Sequence, residues 1–228
     1  MSSEATTTPN SALPLPPVVY GIAGLVFVLL FASPLAFLPA SPTTGPADVV
    51  AYYEHNQRAL EVIQVVRALS VPAFLLFLSG LALMLRKVEG TPAPLTTGVV
   101  ASGGVLIALA LAILAARWSI ALDAAKLGSP PAVQTVRDLA DALQSFSLFP
   151  AASLIGLASW VLMGSRGATR VIGIAGVVFT AILLVGAVAA AFGAPGFAVT
   201  LLDPFWFIAV AVAMTIRAIR GNELAQTI

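Results

Sequence analysis

Long apolar runs separated by polar connectors dominate the sequence. Each run has about the 20 residues that a helix needs to cross about 30 Å of hydrocarbon. The runs are continuously apolar rather than alternating, which indicates helices, whose backbone groups are satisfied within each segment. The pattern predicts an all-α, polytopic membrane helix bundle with six transmembrane helices, at about 18–38, 67–86, 97–118, 145–165, 171–193 and 199–218.

Two longer connectors are predicted to be amphipathic helices on the outer face of the membrane. In residues 46–66, Pro46 and Asp48 suit a first helical turn, and Glu54 and Arg58 share one face at a spacing of four. In residues 130–146, apolar positions recur at helical spacing. They are Val133, Val136, Leu139, Leu143 and Phe146. Each amphipathic helix leads almost directly into the next span.

The spans are expected to form one domain, residues 18–220, between two tails. Residues 1–17 are rich in Ser, Thr and Pro, which predicts a disordered N-terminal tail, and residues 221–228 form a C-terminal tail. Within the domain, Gly21-Ile-Ala-Gly24 of the first span recurs as Gly173-Ile-Ala-Gly176 in the fifth. Two interpretations remain open: an old hairpin duplication, or chance similarity among segments rich in Ala, Gly, Val and Leu.

Composition restricts the chain to the integral membrane proteins. Of its 228 residues, 59 % are hydrophobic and 9 % are charged, and the mean hydropathy is +1.01, whereas a soluble domain has about 25 % charged residues. A net charge of +1 supplies no basic surface for nucleic acid. The absence of cysteine excludes thiolate chemistry, and a single histidine, His55, excludes bis-histidine haem within the chain. We expect no cofactor and no metal.

The distribution of basic residues predicts the orientation. One side of the threaded chain has six basic and three acidic residues, and the other has five basic and seven acidic residues. Because short cytoplasmic loops are enriched in Lys and Arg, both termini are predicted to lie in the cytoplasm. The six spans and the richness in Ala, Val, Leu and Gly resemble those of small six-span inner-membrane proteins of unknown function in bacteria, especially actinobacteria. This resemblance implies a bacterial cytoplasmic membrane, and no motif transfers a functional residue.

The strongest polar cluster is predicted at the outer membrane boundary. Arg67 opens the second span, Arg117 closes the third, and Asp203 lies just inside the sixth. One interpretation is an outward-facing pocket in which arginine binds an anionic headgroup or a carboxylate. The other is an interfacial ion pair, or arginines that extend to lipid headgroups. Trp118 and Trp206 lie at the same boundary, as part of the pocket or of an aromatic belt.

A second cluster combines aromatic and polar residues in the first amphipathic helix. Its members are Tyr52, Tyr53, Glu54, His55 and Arg58. A surface that faces a partner protein or lipid headgroups is the favoured interpretation. A metal site built on His55 is disfavoured, because Glu54 and His55 point about 100° apart on a helix.

The function predicted first is a partner-binding or accessory subunit of a membrane complex. No acid or base falls at the centre of a predicted span, which argues against a proton pump that works through side chains. The alternative is a binder or transporter of a lipid or other hydrophobic small molecule, with Arg67, Arg117 and Asp203 at the pocket mouth. An enzyme is the least favoured class, since no general base stands near a nucleophile. The expected partners are the lipid bilayer, another membrane protein, or a lipid or hydrophobic small molecule, and not nucleic acid.

Overall fold

A computed structural model describes residues 15–33, 45–123, 130–192 and 203–226. These residues form seven helices and no strand, which confirms the all-α prediction for the described part of the chain. The helices are α1 (Pro17–Ala32), α2 (Pro46–Glu89), α3 (Pro94–Asp123), α4 (Pro130–Phe146), α5 (Leu148–Met163), α6 (Ala168–Ala191) and α7 (Asp203–Gln226). The predicted disordered tail lies outside the described residues, apart from 15–17.

The first amphipathic segment and the second predicted span form one helix. α2 has 44 residues and continues through Pro72, so its length of about 66 Å is twice the thickness of a hydrocarbon core. α4 and α5 are separated only by Ser147, whose N–H donates to Leu143 O at 3.0 Å. Both long connectors are therefore helical extensions of the spans that follow them.

Four helical stretches are long and apolar enough to cross a membrane, which makes this a multi-pass membrane protein. They are Ala47–Glu89, Pro94–Ile120, Pro130–Met163 and Ala168–Ala190. The apolar helix α1 has 16 residues and is shorter than these four. Parts of the predicted spans 18–38 and 199–218 lie outside the described residues, so six crossings are not confirmed.

The main hydrophobic core collects side chains from α1, α2, α3, α5, α6 and α7. At its centre lie Phe77, Leu81 and Ile155, which are fully buried. A group of phenylalanine rings continues this core toward the end of the bundle where α1 ends and α7 begins. The ring centroids of Phe27 and Phe74 are 4.8 Å apart, and those of Phe27 and Phe207 are 5.5 Å apart.

A second, smaller core lies outside the main bundle, on the side opposite the α2–α3 loop. We call that side the distal side. There the N-terminal half of α2 packs against α4 and the end of α3. The buried side chains of this distal cluster are Val49, Tyr53, Leu60, Ile120 and Val133. Only part of the predicted apolar stripe of α4 is buried. Val133 is buried, whereas Leu139 and Phe146 are 55 % and 60 % exposed.

Candidate functional site

A cavity of about 170 Å³ opens among α1, α2, α3 and α7 toward the distal side. Most of its lining is apolar, including Phe27, Phe74, Ile107 and Phe207. Its polar lining residues are Arg67, Ser70, Arg117, Gln144, Ser147 and Asp203. This volume is on the order of the ~150 Å³ apolar cavity that accommodates benzene, so it holds a headgroup or part of a chain and not a whole lipid.

The structure brings Arg67, Arg117 and Asp203 together at similar depth. Arg67 lies 22 residues before the end of α2, and Arg117 lies 23 residues after the start of α3, so both are about 33–35 Å from the loop between these helices. Further from the distal side, Gly80 of α2 packs against Tyr20 and against Met214 of α7, so these residues lie at one level of the bundle. Arg67 is 13 residues from Gly80 along α2, and Asp203 is 11 residues from Met214 along α7, which corresponds to about 16–20 Å in each case. The Arg67 guanidinium and the Asp203 carboxyl group thus lie at similar distances from Gly80 and Met214, on the distal side.

Two charged side chains in this cavity are left without partners. Arg67 Nε and Asp203 Oδ1 are both buried, and neither has a hydrogen-bond partner among the described residues. Within that part of the chain, no ion pair joins Arg67 to Asp203. Burying a charge without a partner is costly, typically several kcal/mol. Within the described part of the chain, a guanidinium and a carboxyl group of this cavity therefore each keep a buried polar atom that a further polar group can satisfy.

Arg117 differs from Arg67 because it is already paired. Its Nη2 lies 3.2 Å from Asp141 Oδ1 on α4, and Arg137 Nε lies 3.8 Å from Asp141 Oδ2. The Asp141 side chain is 55 % exposed, so water screens these interactions and their energetic value is modest. Their main consequence is positional: α4 is linked to α3 beside the cavity. Arg117 thus contributes positive potential near Arg67, while Arg67 is the cation available to a ligand.

Gln144 and Ser147 were not predicted as site residues. They lie at the junction of α4 and α5, where the Ser147 hydroxyl donates to Gln144 O at 2.6 Å. A sequence signal for them exists, because Ala140, Gln144 and Ser147 follow the i, i+4, i+7 pattern of one helix face. Ala140 and Ser147 are both buried. A polar residue on a buried face is a candidate for a site or for a hydrogen bond to a neighbouring helix.

The two predicted tryptophans do not line the cavity. Trp206 is 2 % exposed, and its ring meets that of Phe207 edge-on, with centroids 5.4 Å apart. It packs beside Gly176 and Ser159 in the core between α5, α6 and α7, and therefore is not part of a belt of aromatic side chains at the membrane surface. Trp118 is half-buried on α3, one residue after Arg117, so it points to another side of the helix.

The predicted aromatic and polar patch in the first half of α2 does not form one surface, because its residues lie on different faces of the helix. Tyr53 is 8 % exposed and belongs to the distal cluster, so it does not face a partner. Tyr52 is partly buried against the same cluster, and its ring meets that of Tyr53 edge-on, with centroids 5.6 Å apart. Glu54, His55 and Arg58 are exposed. Among the described residues, no three His, Cys, Asp or Glu side chains are grouped as ligands of a metal would be.

Comparison with known proteins adds no assignment. The chain matches no protein-family profile, and neither the curated proteins nor the solved structures include a significant match to it.

Proposed function

We propose that this protein binds a membrane amphiphile, a lipid or another hydrophobic small molecule with an acidic group, in the cavity beside Arg67. One observation carries the proposal: the Arg67 guanidinium, whose Nε is buried and has no partner among the described residues, lies at the polar end of a mostly apolar cavity. Pockets for small ligands have this character, with an apolar lining and a few polar groups that fix orientation. An acidic headgroup would satisfy Arg67, and only the first carbons of its chain would enter the phenylalanine-lined end, with the rest of the chain outside the cavity.

The proposed arrangement in the membrane has six crossings and a cavity in the outer leaflet. α1 and α7 contribute to the same core as the four helical stretches that are long and apolar enough to cross a membrane, which supports their crossing beside them. The basic residues near the α2–α3 and α5–α6 loops support a cytoplasmic location for those loops and for both termini. α4 and the first half of α2 would then be the two amphipathic helices of the outer face. In a bacterial cell the protein would reside in the cytoplasmic membrane.

An accessory role in a membrane complex is the second candidate. The outward-facing residues Leu139 of α4 and Val62 of α2 are 55 % and 59 % exposed. Large apolar side chains on helices that extend beyond the bilayer favour contact with another protein. The two functions are compatible, since a subunit of a complex can also hold a lipid.

A matched pair of cavity variants tests ligand binding. Ala110 lines the cavity, whereas Ala108, two residues earlier on the same helix, is exposed and does not. We expect Ala110→Phe to fill the space and to displace the ligand, and Ala108→Phe to leave it bound. The protein is extracted into nanodiscs and its retained lipids and proteins are counted by native mass spectrometry.

A charge variant completes the test. We expect the wild-type protein and Arg58→Gln, a change at an exposed arginine outside the cavity, to retain one amphiphile. Arg67→Gln is expected to lose it. Equal retention by Arg67→Gln and Arg58→Gln, or no retained amphiphile in the wild type, would overturn the proposal. A stoichiometric partner protein without an amphiphile would favour the accessory role instead.

A further inference from the structure

Among the described residues, the cavity is lined by one cationic and one acidic side chain that each have a buried atom without a partner and do not reach each other. Arg67 Nε and Asp203 Oδ1 are each buried without a hydrogen-bond partner in the described part of the chain. Both residues line the same space, on α2 and α7. No side-chain nitrogen of Arg67 lies within 4.0 Å of a carboxylate oxygen of Asp203. The two charges are therefore presented separately to whatever occupies the cavity.

Arg117 already has a partner, because its Nη2 lies 3.2 Å from Asp141 Oδ1. Asp141 also contacts Arg137, so the one carboxylate is shared and Arg117 still contributes positive potential near Arg67. Asp203 lies in the first turn of α7, where the helix dipole favours a negative charge. Phe207, one turn further along α7, lines the cavity as well. An ammonium group beside Asp203 would therefore also meet an aromatic ring, which adds a favourable cation–π interaction.

We propose that the headgroup bound in this cavity is zwitterionic, with a phosphate or carboxylate on Arg67 and an ammonium on Asp203; this rests on the proposed function. A headgroup with only a negative charge satisfies Arg67 and leaves Asp203 buried and unpaired. A headgroup with only a positive charge leaves Arg67 without a partner. Because each unpaired buried charge is costly, a ligand that carries both charges is selected over either alternative. The apolar end of the cavity selects an amphiphile over a free zwitterion in water.

Defined short-chain lipids test the selectivity directly. Dihexanoyl phosphatidylethanolamine has both charges, dihexanoyl phosphatidylglycerol has only the phosphate, and glycerophosphoethanolamine has the head without chains. Binding to the purified full-length protein in detergent is measured by native mass spectrometry titration. We expect the phosphatidylethanolamine to bind at least about tenfold more tightly than the phosphatidylglycerol. Binding of glycerophosphoethanolamine as tight as that of the lipid would overturn the assignment to an amphiphile.

Three variants attribute the selectivity to the two charges. Asp203→Asn is expected to remove the preference for phosphatidylethanolamine and to leave phosphatidylglycerol binding unchanged or stronger. Arg67→Gln is expected to weaken both lipids at least about tenfold. The control is Asp138→Asn, an exposed position on α4 whose partner is Gln134, and it should match the wild type.

The outcomes separate this inference from the proposed function. If phosphatidylglycerol binds as tightly as phosphatidylethanolamine and still depends on Arg67, the zwitterion is overturned and the amphiphile site stands. If neither lipid binds, or Arg67→Gln has no effect, both fail. Should Asp203→Asn not fold, the wild-type preference between the two lipids decides the matter alone.

Discussion

At the scale of single residues, two arginines of the same cavity have opposite energetic roles. Arg117 has a carboxylate 3.2 Å away, whereas Arg67 Nε is buried and has no partner among the described residues. Stability alone would favour an apolar side chain at position 67, because replacing buried charges by hydrophobic residues is often stabilising. A site that sacrifices stability in this way is typical of binding and active sites, where activity and stability conflict.

This contrast predicts opposite effects of the same change at the two positions. We expect Arg67→Met to raise the free energy of unfolding by about 1–3 kcal/mol in delipidated protein, because an unpaired buried charge is removed. Arg117→Met should lower it by no more than about 1 kcal/mol, since its partner is half exposed. Chemical unfolding in mild detergent, followed by tryptophan fluorescence, measures both. A loss of stability in Arg67→Met would indicate that Arg67 has a structural partner and would argue against its role in binding a ligand.

At the scale of helices, the two Gly-Ile-Ala-Gly motifs mark close approaches between neighbouring helices. Gly21 and Gly24 of α1 lie against Thr215, Ala211 and Phe77. Gly173 of α6 lies against the α5 backbone, and a Cβ there would be 2.7 Å from Met163 N and 2.8 Å from Ser159 O. Small residues allow such contacts between membrane helices, where packing rather than a hydrophobic force holds the helices together. Both copies of the motif thus allow close helix packing, which fits a hairpin duplication and chance similarity equally well.

The α5–α6 contact predicts a clear result for a single methyl group. Gly173→Ala would press Cβ against backbone atoms that cannot move aside, so α5 and α6 must separate, at a cost of about 1–3 kcal/mol in the free energy of unfolding. Gly104→Ala is the control, because a Cβ at that helical position meets no atom within 4 Å and alanine is the better helix former. The thermal midpoints of the two variants are compared in the same detergent. Equal midpoints would contradict the close packing of α5 on α6.

The sequence predicted which segments become helices better than it predicted which face of each helix is buried. Prolines at 17, 46, 94 and 130 each begin a helix, as a residue without an N–H and with a fixed φ is suited to do. The burial of Tyr53, however, depends on where α4 packs, and the hydrophobic pattern of α2 alone does not specify this. The same holds for the cavity: the sequence placed Arg67, Arg117 and Asp203 at one boundary, but that Arg117 is paired and Arg67 is not follows from tertiary packing alone.

At the scale of the whole molecule, the cavity depends on helices whose crossing is a proposal. α1 supplies Phe27 and Phe31, and α7 supplies Asp203 and Phe207. α1 and α7 pack against each other, and α1 also packs along α2. Three phenylalanines and the aspartate of the site therefore come from the first and last described helices. A bundle of only the four helical stretches Ala47–Glu89, Pro94–Ile120, Pro130–Met163 and Ala168–Ala190 would leave the cavity open on one side. The proposed function therefore depends on the proposed topology.

The absence of native cysteine makes the topology directly measurable. Single cysteines are introduced at Leu15, Gln57 and Ala168, which are all exposed, and intact cells and permeabilised cells are treated with a membrane-impermeant maleimide. If α1 crosses the bilayer, Leu15→Cys and Ala168→Cys react from one side and Gln57→Cys from the other, because α1 separates Leu15 from Gln57. The positive-inside distribution further predicts that only Gln57→Cys reacts in intact cells. Reaction of Leu15→Cys together with Gln57→Cys would mean that α1 does not cross, and the membrane site would then lack Phe27 and Phe31, which form part of its apolar wall.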